Sequence, residues 1–202
     1  VIASVTVVIL RSNKLEGADV DRAAAPFAIL DTLYKAITVI RSADSAATFR
    51  DLKVHWSTRN KPVNTPFQVS SGNINTTFFT AVASGTGADA MEAGIYVLGD
   101  AATDTDEYDE SVIAHEYGHY YQDVFSRDES IGGDHAIGDK TDLRVAFSEG
   151  WGNAFSSMMR GSALYKDSSK PGTTQGFGFD LERNDIDDLT GSTGWYSEGS
   201  IE

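Results

Sequence analysis

The chain has 202 residues, of which 41% are hydrophobic, and a formal net charge of −14 at pH 7. This length and apolar content allow a buried core in one domain or in two small ones, and no stretch approaches the roughly 18 apolar residues of a transmembrane helix. The negative charge disfavours nucleic acids and anionic membrane surfaces as partners. It suits an exported protein, periplasmic or extracellular, or one that uses cations. The chain has no cysteine, so disulfide chemistry does not distinguish an exported protein from an intracellular one.

The first part of the chain predicts a strand and a helix. Residues 1–10 are rich in Val and Ile, which is typical of a strand. Because the chain opens within this strand, we expect residues 1–12 to be the end of a preceding β domain or part of the same single domain. Residues 26–42 predict a core helix, with Pro26 in its first turn. Its apolar residues recur at helical intervals: Phe27, Ile29, Leu30, Leu33, Tyr34, Ile37 and Ile40.

Three further strands are predicted, at residues 52–57, 73–80 and 94–100. In the first of them, alternation places His55 on the face opposite Val54 and Trp56, where a lone histidine is most often structural or exposed.

An acidic stretch follows the last of these strands. It contains Asp100, Asp104, Asp106, Glu107, Asp109 and Glu110. Acidic residues stabilise the N-terminus of a helix, and Asp106 is the predicted N-cap of the next helix. Calcium binding is the alternative, because hard oxygen ligands are clustered, although the spacing does not match an EF-hand loop.

Residues 111–122 contain the pattern H-E-x-x-H, formed by His115, Glu116 and His119. On a helix, residues four apart lie on one face, so both imidazoles can bind one metal ion. Glu116 is close enough to act on a water at that ion, as in a zinc hydrolase. The flanking residues are largely apolar and predict a buried helix, which argues against two surface histidines as the explanation.

A catalytic zinc ion usually takes a third protein ligand. Residues 145–158 predict a helix in which Phe147, Trp151 and Phe155 form an apolar stripe, while Glu149 and Asn153 lie on the other face. Two glycines in this helix, at 150 and 152, indicate close packing against another helix, and we expect that helix to be the one that carries His115.

Glu149 is the preferred third ligand. The rivals are His135 and Asp142, which belong to the long Gly- and Asp-rich loop at residues 126–143. A metzincin site is excluded, because Gln122 and Phe125 stand where that class requires Gly and His.

The remainder of the chain carries weaker patterns. Residues 162–179 predict a Gly/Ser-rich loop, residues 185–188 an acidic surface segment, and residues 195–202 the start of a helix. We therefore expect a domain truncated at its C-terminus.

The H-E-x-x-H motif and the downstream Glu149-Gly150 pair resemble the gluzincins, the zinc peptidases related to thermolysin. The similarity covers roughly residues 50–160. The amino-acid sequence of the two helices resembles still more closely a group of uncharacterised bacterial zinc metallopeptidases. The resemblance implies His115, His119 and Glu149 as zinc ligands and Glu116 as general base. Asn153 stands where thermolysin-like enzymes place an Asp that hydrogen-bonds a ligand histidine.

The resemblance also implies a fold and an activity. The fold would be α+β and zincin-like, with a small mixed sheet and an active-site helix, and residues 73–80 would be the edge strand that pairs with a peptide substrate. The activity would be hydrolysis of peptide bonds at one zinc ion, with His135, Tyr196 or a residue beyond the C-terminus stabilising the transition state. The alternative is a zinc-binding but inactive recognition module of a larger exported protein.

Overall fold

A computed structural model describes residues 22–63, 66–133, 135, 136, 139–170, 176–183 and 196, together with the backbone of residues 5–9. These residues form an α+β structure with a four-stranded sheet, a separate two-stranded hairpin and three α-helices. The helices are α1 (Ala25–Ala43), α2 (Glu110–Phe125) and α3 (Leu143–Arg160). The sheet strands are β1 (Val5–Ile9), β2 (Leu52–Trp56), β3 (Phe78–Thr80) and β4 (Gly94–Val97), and the hairpin is β5 (Leu164–Ser168) and β6 (Gly176–Asp180). None of the helices in the described ranges has the length and apolar character needed to cross a bilayer.

The sheet is mixed and has the strand order β1-β2-β4-β3. The first three strands in that order run parallel, and β3 pairs antiparallel with β4, Phe79 lying opposite Ile95. The short β3 is therefore an edge strand, as predicted. The predicted strand at 73–80 is wrong for residues 73–77, because Asn75 adopts a left-handed conformation with φ 66° that interrupts an extended chain.

The main core lies between α1, one face of the sheet and the two later helices. The helix predicted at 26–42 is confirmed, and Ile29, Leu33 and Ile40 are buried as expected. Phe27 and Tyr34, however, are about 70% exposed (71% and 69%). A helix that lies on a sheet buries one stripe only, so these two aromatic residues fall outside it.

Residues 162–179 do not form the predicted loop. Described residues of this segment form β5 and β6, which pair antiparallel, with Tyr165 opposite Phe179 and their rings stacked 4.9 Å apart. Both residues are buried against Val112 of α2, so aromatic packing holds the hairpin on the helix. The predictions for residues 185–188 and 195–202 lie outside the described residues, except at Tyr196.

His55 is buried and structural, as the sequence suggested. Its ring stacks on Tyr96 of the neighbouring strand with 4.4 Å between centroids. Burial lowers the pKa of this imidazole, so the neutral form is favoured in the fold.

Candidate metal centre

Helices α2 and α3 pack with very little space between them. A Cβ atom at Gly152 would lie 2.6 Å from Cε1 of His115, and one at Gly118 would lie 3.1 Å from Cβ of Phe155. The Trp151 indole N–H also donates to the Gly118 carbonyl across the interface at 3.0 Å. The close approach predicted from the helix glycines is therefore confirmed at Gly152, and it places the His115 ring directly against the backbone of α3.

The apolar stripe predicted for α3 is only partly buried. Phe155 is buried, but Phe147 and Met158 are more than half exposed (53% and 54%). The buried side of α3 consists mainly of small and polar residues: Ala146, Ser148, Gly150, Gly152, Asn153 and Ser156. The small residues allow the two helices to approach closely, and the polar residues Asn153 and Ser148 contact His115 and His119. This side of α3 therefore positions the two histidines more than it contributes apolar packing.

Three ligand atoms converge at this interface. Nε2 of His115 lies 3.0 Å from Nε2 of His119 and 3.1 Å from Oε2 of Glu149, and the distance from His119 Nε2 to the same oxygen is 3.5 Å. The three residues thus form a group able to hold a metal ion. The structure thus brings together the three residues that were predicted as ligands, two from α2 and one from α3.

The hydrogen bond that Nδ1 of each ring makes determines whether Nε2, which faces Glu149, carries a proton or a lone pair. His115 Nδ1 lies 2.8 Å from Oδ1 of Asn153, so it carries the proton and donates to that amide oxygen. His119 Nδ1 lies 3.2 Å from Oγ of Ser148, whose own hydroxyl lies 3.3 Å from Asp128 Oδ2 and donates to it. In the neutral rings, both Nε2 atoms therefore present lone pairs toward the Glu149 carboxylate.

Three electron-pair donors that face one point repel one another unless a cation lies between them. Ligand atoms bound tetrahedrally to zinc at about 2.0–2.1 Å are separated by about 3.4 Å, and the observed separations of 3.0–3.5 Å match that value. Two imidazoles and one carboxylate are also a donor set that zinc accepts. Asn153 and Ser148 orient the rings as the outer neighbours of a metal site do.

The remaining candidates for the third ligand occupy different positions. Asp142 caps α3, because its carboxylate accepts from the Arg144 backbone N–H at 3.0 Å and pairs with the guanidinium. His135 lies at the edge of the site, with Nε2 3.2 Å from Oε2 of Glu149. Burial alone would raise the pKa of Glu149, but its three histidine neighbours, when they carry a proton on the nitrogen that faces the carboxylate, outweigh burial and hold that pKa well below its usual value.

Glu116 lies one residue after the first ligand and is itself buried. Burial raises the pKa of its carboxyl, while His115 and His119 oppose the rise and the backbone N–H of Phe79 in β3 donates to the carboxylate. A carboxyl with a raised pKa is suited to accept a proton and return it near neutral pH. The predicted base is thus connected to the edge strand.

The two tyrosines that follow Glu149 in the sequence are placed differently. Tyr165 is buried on β5, with its ring centroid 6.2 Å from that of His115 in an edge-on contact. The Tyr196 carbonyl accepts from the Thr141 backbone N–H at 2.9 Å, and this residue is half-exposed beside the loop that precedes α3.

The acidic stretch before α2 differs from its prediction. Asp106 does not cap α2, because it lies in the short 3-10 turn Asp106–Tyr108 and accepts from the Thr77 hydroxyl. The N-cap position belongs to Asp109, whose side chain accepts from Ser168 and makes no capping bond. Asp104 and Asp106 instead meet Asp167 of β5 in a second group able to hold a cation.

Sequence reasoning missed Asp167, Asp128 and Ser148. Asp167 lies in a segment that was predicted to be a loop, whereas Ser148 directly precedes the predicted ligand Glu149 and could have been tested as a partner of His119.

Comparison of the chain with protein-family models, with curated proteins and with solved structures finds no match.

Proposed function

We propose that the chain is the catalytic domain of a zinc-dependent peptidase with a zincin-like arrangement of its helices. The observation that carries the proposal is the convergence of His115 Nε2, His119 Nε2 and Glu149 Oε2 within 3.0–3.5 Å, with the buried Glu116 beside them. Two ring nitrogens and one carboxylate leave a fourth position on a tetrahedral ion, which is the composition of catalytic zinc sites and not of closed structural ones.

Zinc, when bound, would supply Lewis acidity, lowering the pKa of water toward 7 and polarising a substrate carbonyl. The chain's own residues supply the rest of the reaction. Glu116 accepts a proton from the attacking water and delivers it to the amine that leaves the cleaved peptide bond. Its buried position limits competing hydrogen bonds from solvent, and the Phe79 amide fixes its orientation.

Substrate recognition is assigned to β3 and to the loop before α3. Because β3 is an edge strand, its outer side can pair with an extended peptide through main-chain hydrogen bonds. A cleft of about 300 Å³ lies beside the loop, and His135 is among its lining residues. Since His135 also contacts Glu149, it is our choice over Tyr196 for stabilising the charge that develops on the substrate oxygen.

The test combines metal content with peptide cleavage. The full chain, purified without chelator or metal-affinity steps, is expected to contain about one zinc per chain by elemental analysis and to cleave an unstructured protein substrate such as denatured casein. The Glu116→Gln variant has nearly the same size without the basic carboxylate. It is expected to retain zinc and to lose about 10²- to 10⁴-fold in kcat/KM.

Glu182→Gln is the matched control, because Glu182 is exposed in the turn after β6, is not one of the proposed site residues, and should leave both measurements unchanged. Cleavage at the normal rate by Glu116→Gln would exclude Glu116 as the base. Stoichiometric zinc with no cleavage of any substrate by the parent chain would instead favour the zinc-binding recognition module.

A further inference from the structure

A second group of carboxylates, which includes none of the zinc ligands, lies where the turn before α2 meets β5. Asp104 and Asp106 precede α2, and Asp167 lies on β5, with one oxygen of each within 4.8 Å of the others. Asp109 adds a fourth carboxylate next to them, held by the Ser168 backbone N–H at 3.0 Å and by its hydroxyl at 2.9 Å. The group therefore joins the turn before α2 to the hairpin.

The most buried member of the group is incompletely bonded. Asp106 is 3% exposed, and its Oδ2 accepts from the Thr77 hydroxyl, which in turn accepts from the Leu98 backbone N–H at 2.9 Å. Its second oxygen, Oδ1, is buried and has no hydrogen-bond partner among the described residues. A buried carboxylate oxygen without a donor is costly, so when the group is ionised this acceptor stays unbonded, and either a proton shared between Asp104 and Asp106 or a bound cation relieves the cost.

In the described part of the chain, no positive side chain balances these charges. Among the residues that the structure describes, no Lys, Arg or His forms an ion pair with Asp104, Asp106 or Asp167; the nearby Arg22 pairs with Glu107 instead. Burial first, and then the neighbouring carboxylates, raises the pKa of Asp106 well above its usual value and that of Asp167 to about 7. The ionised group is thus unfavourable unless a cation joins it.

We propose that Asp104, Asp106 and Asp167 bind a divalent cation of the calcium class, which fastens the β5–β6 hairpin to the start of α2. Calcium binds hard oxygen ligands at about 2.3–2.6 Å, so oxygens that share one ion lie within about 5 Å of each other, as these do. This site shares no ligand with the proposed zinc site, so cation binding can be tested separately from peptidase activity.

The ion would also affect the zinc-binding helices through the hairpin. Tyr165 lies two residues before Asp167 on β5, and its ring contacts that of His115. Fixing Asp167 to the turn before α2 therefore holds Tyr165 in place against a zinc ligand. The cation has a structural role in this arrangement and takes no part in bond breaking.

The experiment is a calcium titration of the zinc-loaded full chain in buffer freed of divalent ions, with zinc content measured before and after. At calcium concentrations about 100-fold above the dissociation constant, we expect the melting temperature to rise by about 5–10 °C. Calorimetry should give one calcium per chain with no loss of zinc. Magnesium and manganese titrations identify which hard cation the site prefers, and magnesium is expected to bind more weakly because it demands a stricter octahedral geometry.

Asp104→Asn and Asp167→Asn are expected to abolish the calcium-dependent rise. Asp31→Asn makes the same chemical change at an exposed position of α1 and should keep the rise in full. Absence of any calcium, magnesium or manganese response in the parent chain would overturn the proposal, as would a response that survives in both Asp104→Asn and Asp167→Asn. Zinc retained throughout keeps these results separate from the fate of the peptidase proposal.

Discussion

The two groups of ligands in this chain are built in opposite ways. In the group of His115, His119 and Glu149, each ring has an outer partner, Asn153 or Ser148, and the backbone of α3 at Gly152 limits the movement of the His115 ring. In the carboxylate group, Asp106 keeps a buried oxygen without a partner, and no cationic side chain of the described chain pairs with the three carboxylates.

The two groups therefore differ in what stabilises their geometry. The histidine group carries one formal negative charge and is oriented by packing, so its geometry is set before a metal binds. The carboxylate group concentrates charge of one sign, so its stability depends on the cation or on protons. We therefore expect metal at the first group to confer activity and metal at the second to confer stability.

The largest effect that separates the two groups is expected from Glu149→Gln. This change removes the charged ligand atom but keeps the size of the side chain. Loss of an outer-shell partner typically costs about 10- to 100-fold in metal affinity, so loss of a ligand should cost more than about 100-fold. Zinc affinity is measured by competition with a chromophoric chelator, and the calcium-dependent rise in melting temperature should persist.

His135→Ala is the corresponding test of the rival ligand. It is expected to reduce cleavage and to lower zinc affinity by no more than about 10- to 100-fold, as loss of an outer-shell residue does. If zinc affinity were instead lost in His135→Ala and kept in Glu149→Gln, His135 would be the third ligand.

A second test concerns the packing that orients the histidine group. In Gly152→Ala, the added methyl would lie 2.6 Å from Cε1 of His115 and 2.8 Å from both ring nitrogens, so the ring must move. Overpacking of this kind typically destabilises a protein by about 1–3 kcal/mol. We expect this loss in chemical denaturation, together with a clear drop in zinc affinity.

Gly118→Ala provides the comparison on the same interface. Its methyl would meet Phe155 at 3.1–3.2 Å, which is tight but involves an apolar side chain and no ligand. This variant should lose stability and keep its zinc affinity. Equal zinc affinity in the two alanine variants would contradict a specific role for Gly152 at the His115 ring.

The histidine group was visible in the sequence because its determinants are local. Spacing by four residues places His115 and His119 on one helix face, and the apolar and glycine pattern of α3 predicted a partner helix that carries Glu149. What the pattern did not reveal is which side of α3 is buried. The apolar stripe was the predicted feature of this helix, but Phe147 is exposed because small and polar residues of α3 face His115 and His119 instead.

The carboxylate group could not be predicted as a unit. Asp104 and Asp106 were recognised as acidic residues near a helix start, but Asp167 lies far along the chain in a Gly- and Ser-rich segment that predicts a loop. Its position depends on pairing with β6, where Asp167 stands opposite Phe177, and on aromatic packing against α2. Such non-local contacts leave no periodic pattern in a single sequence.

The smallest expected effect has the opposite sign from the others and concerns the carboxylate group without calcium. Asp106→Asn removes a buried charge and supplies N–H donors beside two carboxylates, so the calcium-free variant should be more stable than the parent by about 1 kcal/mol at pH 8. Asp109→Asn should gain less, because the Asp109 carboxylate already accepts from the Ser168 backbone N–H and hydroxyl, which offset part of the burial that raises its pKa. Urea denaturation with and without saturating calcium measures the free energy of unfolding of both variants.

Added calcium should reverse the order of stability of the parent and Asp106→Asn, since only the parent gains the ion. An Asp106→Asn variant that is less stable than the parent in both conditions would mean that this carboxylate stabilises the fold only through its hydrogen bond with Thr77.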